Sequence, residues 1–146
     1  WDKSQPYVTT FKGFKTYPIN EDYIVNGTFE YFETLKSEEI ETKLGKNTIT
    51  DFIGKVTFEI DGREHTLDVG SNGFTMVNDE TSGSETYGGG RYIYLDLPQE
   101  NGLVKIDFNK LYNPPCAFSD YTTCPFPPRQ NVLPFKLEAG EKNEKY

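Results

Sequence analysis

The chain is poor in the residues that most often bind metals or carry out chemistry. It contains one histidine, one methionine, one tryptophan and two cysteines among 146 residues. A single histidine, His65, leaves a zinc site short of ligands. Neither cysteine has a neighbouring histidine in the sequence that would activate it as a nucleophile. The composition therefore predicts no metal site and no cofactor.

Long apolar runs and basic clusters are also missing. No run approaches the roughly 20 apolar residues that a membrane-spanning helix needs. The formal net charge at pH 7 is −8, from 15 lysines and arginines against 23 aspartates and glutamates. Nucleic acids and anionic membrane surfaces attract basic faces, so this acidic protein is not expected to bind either. The expected partner is an unknown small molecule or protein.

The start of the chain lacks an initiator methionine and a signal peptide, since it opens directly on Trp1. We therefore expect a mature or trimmed chain from which a targeting segment was removed. Cys116 and Cys124 are compatible with one disulfide, which would suit an oxidising compartment. An extracytoplasmic location, in the periplasm or at the cell surface, is slightly favoured over a cytoplasmic one, as for a secreted protein or lipoprotein.

Aromatic residues and strand signals, by contrast, are abundant. The ten tyrosines and 11 phenylalanines fit the pleated surface of a sheet. Residues 55–60 alternate between polar and apolar, with Val56, Phe58 and Ile60 on the inward side. Asp61-Gly62 then supplies a two-residue hairpin turn, and 63–70 is predicted to return as a strand with Leu67 and Val69 inward.

The remaining segments are also predicted to be strands, with little helix. Short strands are predicted at 7–14, 15–19, 23–35, 74–77, 91–97, 103–108 and 132–137, whereas 36–51 is polar and expected to be twisted or partly exposed. We predict that residues 1–146 form a single all-β domain, an antiparallel barrel or barrel-like sandwich of about eight strands. A long loop rich in proline and cysteine would cover one end. The barrel is preferred, because closure removes exposed strand edges.

Irregular residues are concentrated between Asn78 and Asn131. This segment opens with NDETSGSETYGGGRYIY, continues with VKIDFNKLYNPPCAFS and closes with TTCPFPPRQN. Hydrophobic patterning does not require such a sequence, so we expect a polar site built from residues 79–91 and 107–131. Its candidate residues, for ligand binding or a structural network, are Asp79, Thr81, Thr86, Tyr87, Arg91, Asp107, Asn109, Tyr112, Asn113 and Asn131.

The glycine run 88–90 has two interpretations. It could act as a flexible hinge, or it could let a backbone or a ligand approach closely. A phosphate-binding loop would continue with Lys-Ser/Thr and open a helix, and neither follows here. We therefore do not expect a phosphate loop.

Arg91 is the most informative single residue of the segment. Strand parity places it on the same side as Ile93 and Leu95, which are inward. A buried arginine needs a partner, because an uncompensated buried charge is costly. Asp107 is the first candidate and Asp79 the second. The resulting ion pair would join the loops, or the guanidinium would bind an anion at the barrel mouth.

The cysteines and the residues before them are expected to organise a loop. Cys116 and Cys124 bracket seven residues, so a disulfide is sterically feasible and would hold a proline-rich lid. Asn109, Tyr112 and Asn113 follow a strand end, where their side chains could cap loops or line a pocket.

These motifs, taken in order, resemble those of a prokaryotic family, domain-of-unknown-function family 1684. The family pattern is D-x-T-S/N-G-x-x-T-Y-G-x-G-R, then D-F-N-x-A-Y-N-P-P-C-A-F/Y, then C-P-x-P-P-x-E-N-x-L and an ending like A-G-E-K. The likeness extends over nearly the whole chain. Leu111 stands where the family usually has alanine, and Gln130 where it usually has glutamate. The resemblance implies no particular activity.

Three classes of function follow. The main hypothesis is a small-ligand-binding or accessory domain with the polar site described above. A first alternative is a hydrolase-type enzyme that uses Asp79 or Asp107 as base with Arg91 stabilising an anion. A second alternative is a purely structural or interaction module. An open cavity lined by these three residues would support the first two classes, and a sealed network would support the third.

Overall fold

The computed structural model describes residues 14–117 and 124–145. Eight strands follow one another along the chain: β1 Phe14–Thr16, β2 Ile24–Glu41, β3 Asn47–Ile60, β4 Arg63–Gly70, β5 Phe74–Val77, β6 Arg91–Tyr94, β7 Gly102–Asp107 and β8 Glu141–Lys145. Helical structure in these ranges is limited to three-residue 3-10 turns. No described helix is long and apolar enough to cross a membrane.

The strands form three antiparallel sheets. The largest has the order β4-β3-β2-β7, and β5 pairs with β6 while β1 pairs with β8. The prediction of an all-β antiparallel fold of about eight strands is confirmed. Between the described strands the sheets do not close on one another, so the protein takes the sandwich form rather than the barrel.

The β3–β4 hairpin has the predicted turn and parity. Asp61 and Gly62 both have positive φ, 53° and 78°, as a type I′ turn requires. The pairs Val56↔Leu67 and Gly54↔Val69 fix the register. Val56, Leu67 and Val69 are buried, because alternate side chains of a strand point to the same face.

The hydrophobic core lies between the four-stranded sheet and a second layer. The sheet contributes Phe29, Val56, Phe58, Leu67, Val69, Val104 and Ile106, and the second layer contributes Val77, Ile93, Leu95, Leu133, Leu137 and Ala139. The second layer therefore includes β5, β6 and the irregular C-terminal segment, and the glycine-rich segment 78–90 joins two of its strands.

The predicted strand at 132–137 is wrong. Val132 makes a single parallel bridge with Asn78, and the last strand is β8. Pro134 interrupts the segment because it has no N–H to donate to a ladder. The neighbouring backbone groups bond to a loop instead: the Leu137 N–H donates to the Asp79 carboxylate, and the Phe135 carbonyl accepts from the Glu80 N–H.

The polar segment 36–51 forms an arm in which β2 and β3 continue past the core. The two strands pair from Lys36↔Phe52 to Glu41↔Asn47, after a register shift between Tyr31 and Lys36. Most of the arm's side chains are exposed, as expected from their polarity. The predicted extended piece at 7–14 lies outside the described residues except for its last position, Phe14, which begins β1.

Candidate functional site

The glycine-rich segment forms the loop that joins β5 to β6. Val77 and Arg91 pair across the two strands, so the segment 78–90 begins and ends at the same place. Asp79 and Arg91 therefore lie at the neck of this loop, above the core. This placement follows from the predicted strands on either side of the loop.

Arg91 is almost completely enclosed, with 1% of its side chain exposed. Its Nη2 donates to the carbonyl of Leu137 at 2.9 Å and lies 3.5 Å from Oδ1 of Asp79. Its Nη1 donates to the carbonyls of Ala139 and Glu141. Burial lowers the pKa of the guanidinium, and the charge of Asp79 opposes this effect. Arg91 thus ties the glycine-rich loop to the C-terminal segment.

Asp79 is the acidic partner of Arg91 in this network. Its carboxylate accepts from the Leu137 N–H at 2.6 Å, the Thr81 hydroxyl at 2.9 Å and the Ser82 hydroxyl at 3.3 Å. The Thr81 hydroxyl lies 2.9 Å from that of Thr86. These short side chains fold the loop back on its own backbone, as Asx and ST turns do.

Asp107, the first predicted partner of Arg91, belongs to a different cluster. Its Oδ1 accepts from the N–H and the side-chain amide of Asn109, at 3.0 Å and 2.9 Å. Asn109 in turn exchanges hydrogen bonds with the backbone of Asn20. The ranking of Asp107 before Asp79 was wrong, because Asp107 ends β7 and caps the 3-10 turn 108–110.

The geometry therefore does not assemble Asp79, Arg91 and Asp107 around one cavity. The side chains of Asp79 and Arg91 are sealed, at 0% and 1% exposure, while Asp107 is part-exposed elsewhere. This arrangement is what the structural alternative predicts for these residues.

The glycine run allows close approach of protein side chains. Gly90 has φ 88°, and a Cβ there would lie 2.5 Å from Cγ of Pro127 and 2.9 Å from the carbonyl oxygen of Val77. A Cβ on Gly89 would lie 2.5 Å from the Tyr87 ring. Of the two interpretations, close packing describes these two glycines, with a proline and a tyrosine as the neighbours.

Asn131 joins three parts of the chain from a fully buried position. Its Oδ1 accepts from the N–H of Asp68 at 2.8 Å, and its Nδ2 donates to the carbonyls of Asp68 and Met76 at 2.9 Å and 2.8 Å. Its own backbone carbonyl accepts from the N–H of Asn78. One side chain thus links β4, β5 and residues 124–131, which we call the proline-rich segment.

Tyr112 and Tyr92 form a bridge between β6 and the segment before the cysteines. Their backbones exchange two hydrogen bonds of 2.9 Å, and their rings meet edge to face. Burial raises the pKa of Tyr112 to about 12, with Tyr94 adding to the shift. Burial, with smaller contributions from Tyr112 and Tyr87, also raises the pKa of Tyr92.

These shifts predict that both tyrosines resist ionisation in the folded protein. The tyrosinate absorbance of Tyr92→Phe and Tyr112→Phe should match that of the wild type up to about pH 11, because unperturbed tyrosine ionises near pH 10. The contribution of the two protonated tyrosines to the free energy of unfolding is present below about pH 10 and is lost as the pH rises towards 12. A pH titration at the tyrosinate band measures this, with denatured protein as control. A loss of amplitude near pH 10 in either variant would contradict the assignment.

Asn113 and the cysteines complete the segment. The Asn113 N–H donates to the Glu141 carboxylate at 2.7 Å, and its side chain donates to the carbonyl of Lys142 at 3.0 Å. Cys116 and Cys124 form a disulfide, with Cα atoms 6.2 Å apart. Residues 124–126 then lie beside the end of β2: the Cys124 carbonyl accepts from the N–H of Lys43, and the Phe126 N–H donates to the Glu41 carbonyl.

Removing this disulfide should destabilise the protein moderately. Cys116→Ala/Cys124→Ala is expected to lower the free energy of unfolding by about 2.5 kcal/mol, because the crosslink restricts a short loop of the unfolded chain. Chemical denaturation compares the double variant with the oxidised and the reduced wild type. Reduced wild type should unfold near the double variant, and identical midpoints for all three would contradict the prediction.

An open groove lies between the end of β2 and residues 126–132. The sequence does not predict it. It has a volume of about 720 Å³. One wall is the end of β2, Glu38–Glu41, and the other is the segment 126–130 with Val132. We call it the edge groove. The signal in the sequence was Pro127-Pro128, since two consecutive prolines cannot continue the pairing that begins beside β2.

A polar cluster supports the base of the edge groove. The Gln130 side chain donates to Glu38 at 2.8 Å and to Asp68 at 2.7 Å. Lys36 donates to Asp68 at 2.7 Å, and this hydrogen bond raises the pKa of Lys36. Gln130, where the resembled family usually has glutamate, can donate to both carboxylates. The two walls are therefore joined by direct hydrogen bonds.

Comparison with known proteins identifies the family. A family model described as Protein of unknown function (DUF1684) matches residues 9–142. A solution NMR structure of an uncharacterised protein of Haloarcula marismortui is similar, with 30% sequence identity and a TM-score of 0.73, over 94% of this chain and 80% of that chain. No curated protein matches. The resemblance found in the sequence is confirmed, and the chain belongs to the DUF1684 family of proteins of unknown function.

Proposed function

We propose that this protein is a non-catalytic binding domain and that its ligand site is the edge groove. The observation that carries the proposal is the contrast between two sites. The signature residues Asp79 and Arg91 are enclosed by protein groups, whereas the groove is open and of the size typical of ligand sites, roughly 300 to 1,000 Å³. The signature residues then have the role of holding the groove's surroundings in place.

The walls of the groove favour a cationic ligand. Glu38, Glu39 and Glu41 line one side, and among the described lining residues Arg129 is the one basic side chain. The opposite wall offers Phe126, Pro127 and Pro128, which provide an apolar surface. A positively charged group with an apolar neighbour would match both walls, because carboxylates attract cations and the proline rings bury apolar area.

The support under the walls makes the site preorganised. Gln130 bridges to Glu38, and the adjacent Asn131 bonds to β4 and β5. A site whose side chains are already held loses less conformational entropy on binding. The buried network that includes Asn131 is therefore connected directly to the proposed site.

A charge-matched pair of variants tests this proposal. Glu38→Gln/Glu39→Gln/Glu41→Gln removes three carboxylates from the groove. Glu59→Gln/Glu64→Gln/Glu100→Gln changes the net charge equally at exposed positions outside it. Binding of a fluorescent lysine-rich peptide should weaken by about tenfold in the first variant only, since exposed ion pairs contribute up to about 1 kcal/mol each.

The outcomes separate specific binding from attraction to an acidic protein. Equal weakening in both triple variants would show that net charge alone draws the peptide. No binding to the wild type by lysine-rich peptide, free arginine or a polyamine would contradict a cationic ligand. Thermal unfolding of each variant confirms that the fold is retained, and saturating ligand should raise the wild-type midpoint.

A further inference from the structure

The end of β2 presents an open strand edge inside the groove. The carbonyl of Glu41 accepts from the N–H of Phe126, on the side opposite β3. Because N–H and C=O groups of alternate residues in a strand point to the same edge, those of Glu39 also point away from β3. The Thr42 N–H, which donates to Lys46 within the hairpin, agrees with this alternation.

The proline-rich segment begins to pair with this edge and then stops. Thr42 and Pro125 form an antiparallel bridge, and Phe126 bonds to Glu41. Continuing the same register would set Pro127 and Pro128 beside the next residues of β2. Neither proline has an N–H, so the pairing ends there. The groove is the space left where a partner strand would continue.

The rest of this edge has no partner strand in the described part of the chain until β7 is reached. β7 pairs with β2 from Ile24↔Asp107 to Phe29↔Gly102. The next outward N–H, that of Tyr31, is capped by the Asn101 side chain at 2.8 Å. An open edge with unpaired N–H and C=O groups is a template for a further strand.

We propose that the ligand of the edge groove is an extended peptide with basic residues, which adds to β2 as a strand. This rests on the binding function proposed above and specifies its partner. Main-chain hydrogen bonds to Glu39 would fix the peptide's backbone, as in β-augmentation. Its basic side chains would meet Glu39 and Glu41, which are exposed on the same face of β2. Alternate residues would face Ile40 on the other side.

This parity defines the probe. A heptapeptide of alternating lysine and valine places all lysines on one face when extended. Two derivatives carry N-methyl groups on either all lysines or all valines. N-methylation removes main-chain N–H donors from one edge of the peptide strand only, while charge and side chains stay the same.

The two derivatives should differ in affinity for the wild-type protein. The one methylated on the edge facing β2 should bind about fivefold more weakly, as expected for the loss of the main-chain hydrogen bond to the Glu39 carbonyl. The other should retain the affinity of the unmethylated peptide. Equal affinity for both derivatives, whether unchanged or reduced, would overturn strand addition. If the unmethylated peptide binds in that case, the proposed binding function still stands.

A variant of the protein tests the same edge from the other side. Glu39→Pro removes the outward N–H that the peptide would use, and Glu39→Gln removes the charge alone. Proline is tolerated on an open strand edge. The proline variant should bind the peptide about fivefold more weakly than the glutamine variant, from one further hydrogen bond. Equal affinities with unchanged thermal midpoints would contradict the role of this edge. Dimerisation that persists at saturating peptide would also overturn the proposal, by making a second copy the occupant.

Discussion

Replacing Arg91 with alanine should lower the free energy of unfolding by about 3–5 kcal/mol, because the change leaves a buried carboxylate without its counter-charge. The Ala139 carbonyl loses this donor as well, and the Leu137 carbonyl keeps only the N–H of Ala139. Arg63→Ala is the matched control, since Arg63 is exposed at the start of β4. That control should change stability by well under 1 kcal/mol.

The coupling between Arg91 and Asp79 can be isolated by a double-mutant cycle. Asp79→Ala should also destabilise strongly, since it leaves the guanidinium buried without its counter-charge. The double variant should cost less than the sum of the two single changes, because the second change removes a partner that the first had already stranded. Chemical denaturation of all four proteins measures the coupling. An Arg91→Ala midpoint equal to that of the wild type would show that the network does not stabilise the fold.

Replacing Asn131 with alanine is the second large effect we expect, on the order of 3 kcal/mol, because three buried backbone groups lose their partner. These groups are the N–H and C=O of Asp68 and the C=O of Met76. Asn131→Leu keeps most of the volume and should be nearly as destabilising, which separates lost hydrogen bonds from a cavity. Asn26→Ala, at an exposed position of β2, serves as control.

Urea denaturation measures the stability of these Asn131 variants, and peptide binding tests their effect on the groove. If Asn131 positions the wall beside it, Asn131→Leu should weaken peptide binding at temperatures where the protein is still folded. A stability loss under 1 kcal/mol for both variants would contradict the network role of Asn131. Unchanged peptide affinity would show that the wall is held by other contacts.

Local patterns explain why much of the fold could be predicted. The hairpin at Asp61-Gly62 depends on a two-residue turn and on parity, both of which are visible in the sequence. Parity also placed Arg91 inward, and it is buried. Such features depend on neighbours a few residues apart. The strand prediction for 132–137 is wrong because the backbone groups of this run bond to a loop that is distant in sequence.

Contacts between residues far apart in the sequence could not be predicted in the same way. Asp79 and Asp107 were both reasonable partners for Arg91, and only the fold places Asp79 at the neck of the loop. The carbonyls of Leu137 and Ala139 that accept from Arg91 have no sequence signal, since every residue carries a carbonyl. The edge groove depends on the position of Pro127-Pro128 beside β2, which is a tertiary relation.

The most direct test of this account is a residue-resolved NMR titration of the protein with the alternating lysine–valine peptide. We expect the amide shifts to change at Glu38–Glu41 and at residues 126, 129 and 130, with saturable dependence on peptide concentration. The amides of Asp79 and Arg91 should stay unchanged, because their network is enclosed and already satisfied. Changes centred on Asp79 and Arg91, or on Asp107 and Asn109, with none at Glu39, would contradict it.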